Sequence, residues 1–478
     1  MIVQASKEPA LSAEAKYNQG YIWTIALVAA MGGLLFGYDW VVIGGAKPFF
    51  ERFFNLADAT SKGWANSCAL IGCLFGALAA GALSDKFGRK RLLILSAFMF
   101  AATSIGNGLA QNFTIFVVWR LLGGVAIGLA SNLSPMYIAE IAPAKMRGRL
   151  VSINQLTIVI GILAAMFINY LIAEKMPKGA TEEFIRSSWN CRFGWRWMFA
   201  ATAVPSLLFF IGMFLVPESP RWLAKNGRSL LARGILAKIG GVAYAQQAVQ
   251  EIEATLINDM QKVHFRELLA PKMRKVLFLG VGLAVLQQWC GINVIFNYAG
   301  EIFKQAGYNI NDTLTNIVMT GLVNFLFTFV ALFTVDRLGR KPLMLFGAAA
   351  LALIYAAIGY CYHLKGGGGA VPNTLFLVLV LSAIAAYSMS LAPVTWVIIS
   401  EIFPNRIRGS AMSIAVGCLW IACFLLTYTF PIFNAVLGAS ITFWIYAAIC
   451  CVGFVGILTR LPETKGKTLE QIEKEMVD

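Results

Sequence analysis

Apolar stretches of about 20 residues follow one another along almost the whole chain, and this feature restricts the possible folds more than any other. Each stretch is long enough to cross a hydrocarbon core of roughly 30 Å as an α-helix. Apolar residues make up 58% of the chain and charged residues 13%, which excludes an ordinary soluble domain. The sequence therefore predicts an all-α membrane protein with twelve transmembrane helices. They are expected at residues 22–46, 64–84, 92–110, 115–139, 150–173, 197–216, 276–300, 314–335, 343–362, 374–400, 411–436 and 438–459.

The distribution of basic residues predicts the orientation of these helices. The first apolar stretch follows a lead of mixed charge and is too long for a signal-peptide core, so we expect it to remain and the N-terminus to be cytoplasmic. Most Lys and Arg residues then fall in the inner loops, as the positive-inside rule requires, and both termini are expected in the cytoplasm. This placement also explains the net charge of +15. We therefore expect a lipid bilayer as the surroundings and no nucleic-acid partner.

The longest polar segment divides the predicted helices into two groups of six. Its apolar residues recur at helical spacing between acids and lysines, which indicates short amphipathic helices. We therefore predict an N-terminal six-helix half at residues 1–217, a cytoplasmic helical linker at 218–275, and a C-terminal half with a short cytoplasmic tail at 276–478.

Two loop motifs occur once in each half. GALSDKFGRKR at 81–91 is similar to TVDRLGRKP at 334–342, and EIAPAKMRG at 140–148 is similar to EIFPNRIRG at 401–409. In both motifs the second copy follows the first after almost the same number of residues, so a duplicated six-helix unit is predicted. Such a duplication predicts pseudo-twofold halves around a site near the middle of the membrane.

Acids and arginines recur in these loops at corresponding places, and we expect them to pair on the cytoplasmic face. Our hypothesis is a gate network that favours the outward-open state; the alternative is that the charges only determine topology. The proposed members are Asp85, Arg89, Glu140, Arg147, Glu218, Arg221, Asp336, Arg340, Glu401 and Arg408.

Two ionisable residues, Asp39 and Arg120, lie well inside the predicted spans. Such residues are costly in lipid and are candidates for function. Asp39 is roughly 25 Å along the first helix from its inner end, and Arg120 is roughly 8 Å below the outer end of the fourth. Both depths lie in the outer half of the membrane, so the two can meet. A carboxylate beside an arginine stays ionised, and separation of the pair lets it take a proton, which makes a proton switch. The alternative is a static ion pair that fixes helix packing.

Several strings together resemble the sugar porters of the major facilitator superfamily over nearly the whole chain. They are PESPRWL at 217–223, PETKG at 462–466, GWRWMF at 194–199 and the two GRK loops. Within that family, GGLLFGYDWVVIGG and QQWCGINVIFNYA look most similar to the bacterial D-xylose/proton symporters. The resemblance implies the major facilitator fold. It also implies proton coupling, because the symporters carry Asp where Asp39 stands and animal glucose facilitators carry a neutral residue.

The resemblance implies a monosaccharide site, and a sugar needs directed hydrogen bonds and a flat apolar surface. Amides and aromatic residues in the apolar helices match the family's sugar-contacting positions. For each, the alternative is a role in packing or in bonding between helices. The candidates are Gln155, Gln287, Gln288, Asn293, Asn324, Trp396 and Trp420, with Phe36 and Tyr298 as weaker, gate-like assignments.

Gln288 and Asn293 cannot share one face of a straight helix, because side chains five residues apart point about 140° away from each other. Gly291 lies between them, and we expect a helix break there that turns both amides toward the cavity. Pro393, near Trp396, is likewise expected to loosen the tenth helix, which makes that helix a candidate moving gate.

The chain departs from the resembling family at three positions. Asn297 stands where the family usually has a tyrosine that closes over the sugar, Leu419 where the symporters often have an amide, and Ile162 where the xylose transporter has another amide. A buried hydroxyl without a partner costs about 1 to 3 kcal/mol, so these changes are expected to influence which sugar is preferred.

Together these features predict an importer that moves a pentose or hexose with a proton across a bacterial inner membrane, and that works as a monomer. The chain has no GxxxxGK[ST] phosphate loop, and we expect no enzyme activity, no cofactor and no metal. The rival interpretations are a sugar uniporter of the same fold, a non-transporting sugar sensor and an exporter of hydrophobic cations.

Overall fold

The structure is a computed structural model that describes residues 17–177, 179–258, 271–403, 408–465 and 467. The regular secondary structure of these residues is helical throughout, and twelve helical segments are long and apolar enough to cross a membrane, which confirms the predicted number. The protein is therefore an all-α, multi-pass membrane protein. The helices are α1 (Gln19–Phe53), α2 (Ala59–Phe87), α3 (Arg89–Leu109), α4 (Phe113–Ile141), α5 (Arg147–Ile172), α6 (Glu182–Ser187), α7 (Trp195–Ala200), α8 (Ala203–Leu215), α9 (Pro220–Lys225), α10 (Ser229–Asn258), α11 (Pro271–Trp289), α12 (Ile292–Gln305), α13 (Ile310–Leu338), α14 (Arg340–Gly366), α15 (Asn373–Met389), α16 (Leu391–Ile402), α17 (Arg408–Val436) and α18 (Gly438–Arg460), with a π-helical turn at Asn190–Gly194.

Two spans differ most from their predicted bounds, by up to seven residues at one end. The first was expected at 22–46, but α1 continues through Pro48 to Phe53. A proline inside a helix removes one backbone hydrogen bond, but α1 continues past it for five residues. The sixth was expected at 197–216, but it begins at the π-helical turn and is made of three short helical pieces, ending with α8.

Two spans are broken where the sequence predicted irregularity. The seventh span consists of α11 and α12, and Gly291 between them has a φ of +87°. This left-handed conformation suits glycine because it has no Cβ. The tenth span consists of α15 and α16, with Ser390 between them at φ −130° and ψ −91°. Pro393 lies in the first turn of α16, where a missing backbone N–H costs little.

The helices of each half pack closely because small residues face each other. A Cβ on Gly124 of α4 would lie 1.9 Å from the backbone oxygen of Ala69 in α2, so only glycine allows this approach. Across the two halves, α1 packs against α12, α2 against α17 and α5 against α13.

The GRK loops are alike in conformation. Gly88 and Gly339, each at the turn into the next helix, both have a φ of 93° and a ψ of 163°. We call the membrane face that carries these loops the GRK face and the opposite one the far face. Helix α2 ends at Phe87, directly before Gly88 on the GRK face, so it begins at the far face. Helix α1 precedes it and therefore ends at the far face.

Candidate functional site

Asp39 of α1 and Arg120 of α4 are in contact. Arg120 Nη1 donates to both carboxylate oxygens of Asp39, at 3.2 and 3.3 Å. Both residues are buried, with exposed fractions of 6% and 3%. The guanidinium also lies 5.6 Å from the ring centre of Phe199. The structure therefore brings together the two intramembrane charges that the sequence indicated, in surroundings where an unpaired charge is costly.

Three of the predicted amides form one hydrogen-bonded string at the break between α11 and α12. Gln287 Nε2 donates to the backbone oxygen of Ala392 at 3.3 Å, and Gln288 Nε2 donates to Gln287 Oε1 at 3.0 Å. Asn293 Nδ2 donates to Gln288 Oε1. The turn at Gly291 thus brings Gln288 and Asn293 together, which a straight helix would prevent. All three side chains are buried.

Aromatic side chains from both halves meet beside these helices. The Trp420 ring of α17 lies 6.1 Å from Phe36 and 5.9 Å from Trp40, both of α1, and those two rings are 5.8 Å apart. Phe36 and Trp420 were predicted, whereas Trp40 was not. Trp40 directly follows Asp39, so this aromatic cluster adjoins the ion pair.

The remaining predicted amides and Trp396 are placed separately. Asn324 of α13 is buried, and its Oδ1 accepts from Ser388 Oγ at 2.6 Å. Gln155 of α5 is half-buried, and Trp396 of α16 is 38% exposed. The described hydrogen bonds connect neither of these two with the amide string. Tyr298 Oη donates to the backbone oxygen of Thr427 at 2.6 Å, which ties α12 to α17.

The three departures from the resembling family are all buried. Leu419 and Ile162 are apolar members of the core. Asn297 of α12 is 5% exposed, and its Oδ1 has no hydrogen-bond partner among the described residues.

At the GRK face, Arg89 connects the acids of the N-terminal half. Arg89 Nη2 lies 3.0 Å from Glu140 Oε1, and Arg89 Nη1 lies 3.2 Å from Asp85 Oδ1. Glu218 Oε1 accepts from the backbone N–H groups of Arg89 and Lys90, both at 3.1 Å. Arg147, another predicted member of the network, bonds to the backbone. Its Nε donates to the backbone oxygen of Ala139 near the end of α4, at 3.0 Å.

The C-terminal half repeats this arrangement. Arg340 Nη2 lies 3.3 Å from Glu401 Oε1, and Glu463 accepts from the backbone N–H groups of Arg340 and Lys341, both at 3.0 Å. Burial alone would raise the pKa of Glu463, but these bonds and one from Lys465 outweigh it and lower the pKa. The sequence did not single out Glu463. The side chains of Asp336 and Arg408 lie outside the described part, and Arg221 is an exposed residue of α9.

A further buried charge, Lys47 of α1, was not among the residues that the sequence singled out, and it is 3% exposed. Its Nζ lies 2.8 Å from Glu301 Oε1 of α12, 3.6 Å from Glu51 Oε1 and 3.6 Å from the centre of the Tyr298 ring. Lys47 lies just past the predicted end of the first span at residue 46, whereas α1 continues to Phe53. The available signal was the spacing of Lys47 and Glu51, which is that of a helical ion pair.

The far face has two more connections around a cavity of about 240 Å³. Asn311 accepts from the backbone N–H of Met176 at 2.9 Å and donates to its carbonyl at 2.7 Å, which joins the two halves. Arg52 donates twice to Glu182, at 2.8 Å each, and this hydrogen bonding lowers the pKa of Glu182 to about 2.

The charged residues of the described segments form no cluster of three or more metal-binding side chains. A proton and a neutral, hydroxyl-rich ligand are the species that the buried ion pair and the amide string suit chemically.

Comparison with known proteins gives consistent results. Residues 25–476 match the family described as "Sugar (and other) transporter". The chain is 39% identical to the D-xylose-proton symporter of Escherichia coli K12, with 96% of each chain covered, and 38% identical to the arabinose-proton symporter of Bacillus subtilis 168, with 98% and 97% covered. Among solved structures, the inward open conformation of the xylose transporter XylE from E. coli matches with a TM-score of 0.82 and 38% identity, over 95% of this chain and 100% of that one.

Proposed function

The chain belongs to the sugar transporter family and has its major facilitator fold, and from that premise we propose that it imports a monosaccharide together with a proton. The observation that carries the proposal is the buried pair of Asp39 and Arg120, which supplies a carboxylate able to take up and release a proton inside the membrane. The printed names of both relatives include a proton and a pentose, which supports D-xylose or a related pentose or hexose as the cargo.

We propose that the sugar binds between the amide string and the aromatic cluster. Gln287, Gln288 and Asn293 offer carbonyl and N–H groups from α11 and α12. Trp420 offers an apolar surface from α17 for the C–H side of a sugar ring. The amides bond to each other in the structure, so sugar binding exchanges these internal bonds for bonds to hydroxyls. Gln155, Asn324, Trp396 and Phe36 complete the proposed set, with Tyr298 as part of the gate.

We propose that the GRK face is cytoplasmic and that the structure is an inward-open state. The excess of Lys and Arg on that side supports the orientation. The bonds that join the halves at the far face, from Lys47 to Glu301 and from Asn311 to Met176, support closure there. The likeness to the inward open XylE structure agrees with both points. The membrane is then a bacterial inner membrane with both chain termini in the cytoplasm.

The gate network remains a proposal in a modified form. The described ion pairs of Arg89 lie within the N-terminal half, and the described pair of Arg340 with Glu401 lies within the C-terminal half. We propose that these two surfaces close against each other in the outward-open state, when the cytoplasmic ends approach. Asp85, Glu140, Glu218 and Glu401 would then hold the arginines in position, with Arg221, Asp336 and Arg408 as further members.

The division into residues 1–217, 218–275 and 276–478 is part of the same proposal, with α9 and α10 forming the described portion of the linker. Both halves that frame the proposed site belong to one chain, which supports a monomer as the transport unit. The lipid bilayer is the only other component that we propose. A uniporter of the same fold is the second candidate. If the contact between Asp39 and Arg120 never breaks, the carboxylate takes up no proton, and this would favour the uniporter.

The deciding experiment is uptake of labelled xylose, glucose and arabinose into proteoliposomes, with and without an inward proton gradient, for the wild type and Asp39→Asn. Accumulation driven by the gradient in the wild type, with only exchange or downhill flux in the variant, establishes proton symport and identifies the best sugar. Uptake that only equilibrates, and is the same in the variant, makes the protein a uniporter. If none of the three sugars moves, the sugar site is wrong.

A further inference from the structure

A small cavity of about 10 Å³ adjoins the Asp39–Arg120 pair and has not been used above. Its lining includes Asn66 of α2 and Asn297 of α12. Asn297 is the one lining residue from the C-terminal half, since the others lie between residues 39 and 127. The cavity is therefore a place where the C-terminal half meets the ion pair of the N-terminal half.

Three buried polar atoms around this cavity have no hydrogen-bond partner among the described residues. They are Arg120 Nε, which is a donor, and Asn66 Oδ1 and Asn297 Oδ1, which are acceptors. The other groups of two of these residues are engaged, since Asn66 Nδ2 donates to the backbone oxygen of Lys62 at 2.8 Å and Arg120 Nη1 donates to Asp39. Buried polar atoms are rarely left without partners, so three beside one cavity call for a common explanation.

A single water molecule in this cavity would satisfy all three atoms. It would accept one hydrogen bond from Arg120 Nε and donate two, to Asn66 and Asn297. Buried waters typically make about three hydrogen bonds, and a cavity of about 10 to 15 Å³ is enough to hold one. The number of unpartnered atoms, their donor and acceptor types and the size of the cavity therefore all suit one water molecule.

We propose that Asn297 is the residue by which the C-terminal half senses the state of the Asp39–Arg120 pair, through a water shared by Arg120, Asn66 and Asn297. The inference rests on the proposed proton symport and adds a coupling residue to it. Asn297 is a positioning residue, because it acts on the carboxylate only through the water and Arg120.

The position of Asn297 on α12 connects this water with the proposed sugar site. Asn297 follows Asn293 by four residues, so the two lie one turn apart on the same face of the helix. Next to it, α1 approaches α12 closely, because a Cβ on Gly44 would lie 2.7 Å from the backbone oxygen of Phe296. A movement of α12 on sugar binding at Asn293 therefore displaces Asn297 from the water and leaves Arg120 Nε without its acceptor. The guanidinium then has only Asp39 to compensate its charge.

Other titratable groups near Asp39 could also influence the pH dependence of uptake. They are Tyr38 beside it on α1, Cys68 and Cys73 on α2, and Arg120 on α4. None of these groups is altered by a change at Asn297.

The test measures proton-driven uptake of the best sugar against external pH, with the full-length protein in proteoliposomes. In Asn297→Leu the water loses an acceptor, so ionised Asp39 is favoured and half-maximal uptake moves to lower pH by about one unit, the size of one hydrogen bond to a charged group. Sugar exchange without a proton gradient persists. Asn66→Leu gives a shift in the same direction, and the double variant shifts no further than the larger single one. Asn297→Ser keeps an acceptor and restores most of the wild-type profile.

An unchanged pH profile in Asn297→Leu overturns the proposal, and so does full additivity of the two leucine variants. A second measurement is independent of transport. It is the unfolding temperature, in detergent, of the purified wild type, the two single leucine variants and the double variant. There a shared water makes the double variant less destabilised than the sum of the singles. If the wild type shows no gradient-driven uptake, the proposed function fails and the sensing role fails with it. In that case the unfolding cycle still decides whether the water site exists.

Discussion

Lys47 Nζ lies 2.8 Å from Glu301 Oε1 and thereby joins α1 of the N-terminal half to α12 of the C-terminal half. The lysine is almost fully buried, whereas the glutamate side chain is 28% exposed. Alternating access requires that the two halves separate at the far face, and this pair must then break. We therefore regard Lys47 and Glu301 as a clasp that stabilises closure of that face.

Replacing Lys47 by methionine is expected to open the far face. The change removes the bridge and leaves Glu51 and Glu301 without their cation. We expect the equilibrium to move away from the closed state by about tenfold, corresponding to about 1 to 2 kcal/mol for a pair that is partly exposed. Spin labels attached through an unnatural amino acid at positions 183 and 305 report the separation of the halves, and a longer distance is the expected result.

Two controls make this experiment specific. Glu51→Gln changes an acid on the same helix as Lys47 and is expected to move the label distance much less. Exchanging the charges, Lys47→Glu with Glu301→Lys, is expected to restore most of the closed state. If Lys47→Met and the wild type give the same distance distribution, Lys47 and Glu301 do not hold the far face closed.

Stability should depend on which member of the Asp39–Arg120 pair is lost. Asp39→Asn leaves a buried guanidinium that cannot lose its proton, and a cost of about 3 kcal/mol is expected. The double variant Asp39→Asn/Arg120→Met carries no unpaired charge and is expected to unfold at a higher temperature than Asp39→Asn. In Arg120→Met the carboxyl can take up a proton, so its destabilisation decreases between pH 7 and pH 5. Unfolding temperatures of the purified variants at both pH values test this order, and equal values for all three variants contradict it.

The sequence predicted the spans and the two deepest charges well because both depend on composition within one segment. Twenty apolar residues exclude most other structures, and Asp39 or Arg120 stands out against such a background. The break at Gly291 was predictable for a similar reason, since two amides and a glycine lie within six residues. The partner of Lys47 was not predictable, because it depends on how α12 crosses α1.

Gly291→Ala is expected to disturb the proposed sugar site through the backbone. An alanine at φ +87° costs about 1 to 2 kcal/mol, and its Cβ would lie 2.9 Å from Cγ of Tyr446. Relief of this strain shifts Gln288 relative to Asn293, so both the unfolding temperature and sugar affinity should fall. Gly282→Ala in α11 is the matched control, because a Cβ there meets nothing within 4 Å. That control should be neutral or slightly stabilising. Equal behaviour of the two variants contradicts the role of the break.

Gln288 is the central member of the amide string, and Gln288→Leu is expected to weaken sugar binding most among the amides. The leucine has nearly the volume of glutamine but leaves Gln287 Oε1 without its donor and Asn293 Nδ2 with only Cys423 Sγ, a weak acceptor, at 3.6 Å. It also removes two groups that would bond a sugar hydroxyl. A loss of about 10- to 100-fold in affinity is expected, since each buried polar group left unpaired costs about 1 to 3 kcal/mol. Titration calorimetry with the best transported sugar measures this loss. Asn107→Leu, a buried amide of α3 outside the proposed site, is the control and should bind sugar as the wild type does. A similar loss in both variants would mean that Gln288 acts through general packing, and unchanged affinity in Gln288→Leu would remove it from the sugar site.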